Sequence, residues 1–109
     1  MTSRQGRRCM LSAIVVLAVV VVGYGSVRWY KISHYPAWFA TVKIGDDASA
    51  VISKMGSPDD VQTRPHWLWC TVPGCQREFH YGHGIPPEWW VVGFDETGHV
   101  IWTAELQSP

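Results

Sequence analysis

The chain has 109 residues, nine Lys and Arg against nine Asp and Glu, and 47% hydrophobic residues. That length leaves room for one small domain beyond any targeting segment. Five of the basic residues (Arg4, Arg7, Arg8, Arg28, Lys31) precede His34, after which Lys43, Lys54, Arg64 and Arg77 face all nine acids. An acidic domain of this kind excludes nucleic acid as a partner, because phosphate backbones are held by Lys and Arg.

Residues 1–9 form a basic leader. From Arg8 to Arg28 no side chain is charged, and Met10 to Val22 is almost wholly apolar, the layout of a signal sequence or signal anchor. A spanning helix needs about 20 apolar residues, with a tolerated range of about 17–25, and Cys9 to Val27 meets it. Trp29 and Tyr30 follow at the level of interfacial aromatics, with Arg28 and Lys31 placed to snorkel toward water. These features predict an uncleaved transmembrane signal anchor over 10–30. The alternative is a cleaved secretory peptide, for which Gly23 and Gly25 supply small residues before Ser26. The arginines ahead of the run favour a cytoplasmic N-terminus, which puts Cys9 at the cytoplasmic edge and everything after the run on the far side.

Residues 31–37 read as a connector and 38–109 as the exported domain. Pro36 suits the first position of a short helix through Ala40. From Asp46 to Met55 a helix is expected: Asp46 or Asp47 can cap it, Ala48, Val51, Ile52 and Met55 recur on one stripe, and Gly56 and Pro58 end it. Ser57 to Pro65 reads as a loop, and Trp67–Cys70 and Gln76–Tyr81 as strands around the Pro73-Gly74 turn. Gly82 to Pro87 is expected to be a loop, since glycines and paired prolines do not suit a ladder. Trp89–Phe94 and Val100–Leu106 are expected to form a hairpin with a bulge around Asp95-Glu96-Thr97-Gly98. In the last strand, alternation assigns Val100, Trp102, Ala104 and Leu106 to one, helix-covered face. The expected fold class is α+β: a transmembrane helix, then one or two short helices packed on a three- to four-stranded antiparallel sheet.

Cys70 and Cys75 flank Thr71-Val72-Pro73-Gly74, a tight reversal, and in an exported domain they predict a disulfide. Imidazole and thiolate in the stretch His66, Cys70, Cys75, His80 and His83 also form a zinc-type donor set, but the spacing matches no standard site, so neither metal nor cofactor is expected. Asp59 and Asp60 follow a helix-ending proline and Asp95 and Glu96 sit in a turn, contexts that favour local hydrogen bonding over acid–base chemistry. No phosphate loop, nucleophile elbow or zinc-protease motif occurs. Adjacent Trp89 and Trp90 must point to opposite faces of a strand. One of them therefore lies outside the core, and Trp67, Trp69, Trp89, Trp90, Pro86 and Pro87 are the expected partner-binding residues.

Lys43-Ile44-Gly45, Val51, Met55-Gly56-Ser57-Pro58, Trp67-Leu68-Trp69 and Phe94-Asp95-Glu96-Thr97-Gly98-His99-Val100, in this order and spacing, resemble the SmpA/OmlA family. That family includes the small lipoprotein E subunit of the outer-membrane β-barrel assembly machine, and its fold is similar to the halves of β-lactamase inhibitor proteins. The matching residues (Gly45, Val51, Gly56, Pro58, Phe94, Asp95 and Gly98) are scaffolding, with Val51 and Ile52 expected against the sheet. The resemblance implies a binding or assembly module in the cell envelope and no enzyme. The chain departs from the family at its tether: family lipoproteins carry a lipobox cysteine after the hydrophobic run, whereas Val22 to Ser26 has none and Cys9 precedes it. The expectation is a single-pass bacterial inner-membrane protein whose C-terminal domain lies in the periplasm and binds an envelope protein. No small-molecule substrate is expected. The alternative is a periplasmic sensor that binds a small ligand or metal through the His66–His83 segment.

Overall fold

A computed structural model describes residues 2–84 and 87–107 of the chain, leaving aside the side chains of 2, 3, 83, 84 and 107. Its elements are helices α1 (Thr2–Phe39) and α2 (Ala48–Met55) and strands β1 (Asp60–Thr63), β2 (Arg77–Gly84), β3 (Pro87–Phe94) and β4 (Val100–Gln107). The strands form one antiparallel sheet in the order β1-β2-β3-β4, so the α+β expectation holds. The chain divides into two compact units, Met1–Lys31 and Ile32–Pro109.

In the first unit, α1 carries the uncharged run. Among the described residues, one helical stretch, Arg4–Phe39, is long and apolar enough to cross a membrane by length and composition. Its side chains from Met10 to Val22 have no protein cover.

In the second unit, the last turns of α1 are part of the core. The expected connector over 31–37 is instead helical, and Pro36 lies inside α1. A helical proline removes one N–H from the ladder. The helix persists for a further turn, with Ala40 N donating to the Pro36 carbonyl at 3.2 Å. Packing explains this: Ile32, Tyr35, Trp38 and Phe39 all press on the core, and Tyr35 is fully buried. Tertiary burial outweighs a local propensity of this size.

Helix α2 begins where its cap requires. Asp47 accepts from the Ala50 N–H at 2.8 Å, and Gly56, at φ 82°, closes the other end by donating to the Ile52 carbonyl at 2.7 Å. Val51 and Met55 are buried, whereas Ile52, expected against the sheet, is 42% exposed. The line that packs on the core runs through Ala48, Val51 and Met55, and Ile52 stands beside it. The link before α2 is pinned to the sheet through Gly45 N to Val100 O, Val100 N to Asp46 O and Ala48 N to Gly98 O, at 2.8, 2.8 and 3.0 Å.

Several strand expectations are corrected. Trp67–Cys70 is irregular, and the first strand is Asp60–Thr63, inside the expected loop. Gly82, His83 and Gly84 continue β2, paired with Trp89, Glu88 and Pro87. Gly82 permits this because a Cβ there would stand 2.1 Å from the Glu88 carbonyl oxygen. Pro87 sits at the first position of β3, where its missing N–H is tolerated. The expected bulge is present: Phe94 pairs with Val100 but Gly93 pairs with Trp102, leaving Ile101 as the extra residue. Val100 accordingly faces the helices, while Trp102 turns to the other side, so the four residues expected on one face are split.

The sheet is covered on both faces. Phe79, Tyr81, Trp90, Val92, Phe94 and Val100 pack with Tyr35, Val51 and Met55 on the helix side. On the other side Leu68, Cys70 and Cys75 form a second cluster with Ile101 and Trp102. Cys70 and Cys75 are joined in the expected disulfide. Its sulfurs lie on the bare backbone of Gly93, where a Cβ would come within 3.1 Å of Cys75 Sγ and 3.3 Å of Cys70 Sγ.

Candidate functional site

The irregular segment after β1 covers the second sheet face without adding a strand, so its backbone N–H groups need partners from elsewhere. Glu78 supplies them. Its side chain is completely buried, and its carboxylate accepts from Trp69 N at 3.1 Å, from Cys70 N at 2.5 Å and from the His80 Nε2 position at 3.0 Å. A buried carboxylate persists only when its lone pairs are satisfied in this way. His80, one pleat along β2, lies under the Trp69 ring, stacked at 4.7 Å and 10°.

Trp69 is thereby fixed, and the other tryptophans arrange around it. Trp67 meets it edge to face at 6.4 Å and 76°, and Trp89 at 6.5 Å and 70°. The result is an open groove of about 450 Å³ lined by Asp60, Gln62, His66, Trp67, Trp69, His80 and Trp89. Register explains the polar floor. Asp60 is directly opposite His80 and Gln62 opposite Glu78, so both point to the loop-covered face. Gln62 Nε2 donates to Asp60 Oδ2 at 2.7 Å. Among the described residues neither Lys nor Arg lines the groove. Lys54 is paired with Asp46, Arg64 donates to the Cys75 carbonyl, and Arg77 lies over Phe79 and Phe94 on the opposite face.

Of the expected partner-binding residues, the structure brings Trp67, Trp69 and Trp89 together, with Trp67 75% exposed. Trp90 is excluded: it points to the helix side and is 1% exposed, in contact with Tyr35. Pro87 is exposed at the start of β3, and Pro86 lies outside the described residues. The groove also takes in His66 and His80, two members of the zinc-type donor set, together with Asp60 and Gln62. The signal for Asp60 and Gln62 is the β1–β2 register, which the polar sequence Asp60-Val61-Gln62-Thr63 does not announce.

The remaining polar residues are structural. Asp59 Oδ2 accepts from Tyr35 OH at 3.0 Å and Gly82 N at 2.9 Å, joining the end of α1 to β2. Tyr81 donates to the Gly56 carbonyl at 2.9 Å, and burial raises its phenol pKa well above the ordinary value. Asp95 Oδ1 accepts from Thr97 Oγ1, Thr97 N and His99 N, and these bonds hold its carboxyl below the usual range.

The disulfide consumes both thiols of the zinc-type donor set, and the His83 side chain lies outside the described residues. Among the described residues no group of three or more His, Cys, Asp or Glu side chains could hold a metal ion. The groove gathers His66 and His80 beside Asp60, and among the described residues its lining holds no hydroxyl or thiol. Flat aromatic surface with a few placed polar atoms is an arrangement that can bind a ligand. No protein-family model, curated protein or solved structure matches the chain.

Proposed function

We propose that the chain is a single-pass protein of the bacterial inner membrane whose domain from Ile32 onward lies in the periplasm and binds another protein. Its role is in assembly or maintenance of the cell envelope, and it is a binding module and not an enzyme. The observation that carries this reading is the groove of Trp67, Trp69 and Trp89. Tryptophan is enriched at interface hot spots, and Trp67, 75% exposed, stands with Trp69 and Trp89 in one aromatic cluster. The helix Arg4–Phe39 supports the membrane tether, the disulfide suits an oxidising compartment, and the SmpA/OmlA-like pattern agrees with a scaffold role.

Pull-down from crosslinked membranes tests it. A discrete protein partner is the expected result; recovery of none, with the purified protein binding a small molecule, overturns it. Mass spectrometry of the mature protein checks the tether, since a chain beginning at Ser26 contradicts the anchor.

A second reading, a small-ligand or metal sensor, is favoured by the groove volume, which falls in the range of about 300–1,000 Å³ typical of ligand sites. Stoichiometric zinc with free thiols under non-reducing conditions would select it.

A further inference from the structure

We propose that the groove takes an arginine side chain of the partner protein, stacked on the exposed tryptophan rings with Asp60 as its counter-charge. This rests on the protein-binding reading above and names the chemistry it recognises.

The walls and the floor point to the same ligand. Trp67 and Trp89 each stand about perpendicular to Trp69, at 76° and 70°, so aromatic surface is presented from more than one direction. One side of the Trp69 ring is already taken by the stacked His80, which fixes that ring and leaves Trp67, 75% exposed, as the main free surface. Indole faces are the strongest aromatic partners for a cation, and guanidinium stacks on them better than ammonium does. The floor offers acceptors. Asp60 Oδ2 is held by Gln62 Nε2 at 2.7 Å, and Oδ1 has no partner among the described residues. With its amide nitrogen donating to Asp60, Gln62 still has a carbonyl oxygen able to accept. A guanidinium carries five N–H donors and no acceptor, which complements this set.

Charge agrees. Among the described residues the groove lining contains no Lys or Arg, while Lys54, Arg64 and Arg77 are engaged elsewhere. From His34 onward the chain has nine acids and four Lys or Arg. A cationic segment is thus drawn to this domain, and the groove's two histidines, His66 and His80, are the basic side chains it meets there.

The test uses the full chain in lipid nanodiscs and follows tryptophan fluorescence during titration with acetyl-Gly-Arg-Gly-amide. The control is the same peptide with citrulline, which keeps the shape and removes the charge. Saturable quenching by the arginine peptide, at least about fivefold weaker for citrulline, is expected, since citrulline loses both the cation–π contact and the ion pair. Asp60→Asn and Trp67→Ala should each weaken arginine binding about three- to tenfold with an unchanged circular dichroism spectrum. Both side chains are exposed, so folding is not at issue.

Equal binding of arginine and citrulline, no effect of Asp60→Asn, or quenching by a neutral disaccharide but not by arginine would each overturn the inference. Failure here is distinguishable from failure of the parent reading. A protein crosslinked in membranes without arginine selectivity removes only the ligand assignment. Arginine selectivity without any protein partner supports the groove chemistry and removes the protein-binding reading.

Discussion

The two faces of the sheet are built by different physics. On the helix side Trp90, Phe94, Tyr81 and Val92 bury against Tyr35, Val51 and Met55, a cluster held by removal of apolar area from water. On the other side a segment without regular structure is held by one buried carboxylate, one disulfide and a tryptophan stacked on a histidine. The first arrangement tolerates no exposure. The second leaves tryptophan rings at its margin in water, because its cohesion comes from a few directed bonds and not from complete coverage. The face that is less completely covered is the one available for binding.

That contrast sets the order of expected effects. Trp90→Ala removes the largest side chain of the helix-side core and should cost about 3–5 kcal/mol, enough to unfold most of the domain by thermal circular dichroism. Glu78→Ala strips the acceptor from Trp69 N, Cys70 N and His80 together, with an expected loss of about 3 kcal/mol. It should also raise hydrogen exchange at the Trp69 and Cys70 amides while the helix-side core of the surviving folded population stays protected. A loss no larger than that of a surface substitution would erase the distinction between the faces.

Reduction of Cys70–Cys75 should lower stability by about 2 kcal/mol on the chain-entropy account of a short loop. Its effect should concentrate on the groove, read as altered tryptophan fluorescence. Asp47→Ala, at the α2 cap, should cost about 1 kcal/mol and leave the groove unchanged.

Acid provides a related check. The Ala50 N–H and the Ser49 hydroxyl hold the Asp47 carboxyl below its ordinary value, and bonds from Thr97 and His99 do the same for Asp95. A carboxyl whose pKa is lower in the folded state binds protons more readily when unfolded. Its stabilisation is therefore complete above about pH 4 and is lost as pH falls through the folded value. The wild-type melting temperature should fall over that interval, and Asp47→Ala should flatten part of the fall.

The sequence makes some of this arrangement legible and conceals the rest for physical reasons. Asp47, Gly56 and Pro58 mark α2 because caps are local chemistry, and Pro73-Gly74 between two cysteines marks the disulfide for the same reason. β1 is concealed because Asp60 to Thr63 is an edge strand with little apolar content, so no alternation announces it. Trp67-Leu68-Trp69-Cys70 imitates a strand because its side chains alternate between groove and cluster, yet its Trp69 and Cys70 N–H groups bond the Glu78 side chain and not a neighbouring strand. Ile101 bulges, and that one extra residue reverses the face of Trp102. At the site, the opposite orientations of Trp89 and Trp90 follow from strand parity, but which of them is outside depends on what packs on each face. Asp60 and His80 meet only through cross-strand register, a non-local relation that composition does not encode.

Site-specific photocrosslinking of the full chain in its native membranes shows whether the tryptophan groove is where a protein partner docks, with the photoreactive residue replacing either Trp67 in the groove or Ser53 on the exposed side of α2. A discrete protein adduct is expected from position 67, suppressed by Trp89→Ala, and none of that size from position 53. Equal adducts from both positions, or none from position 67 while the protein remains folded, would contradict it.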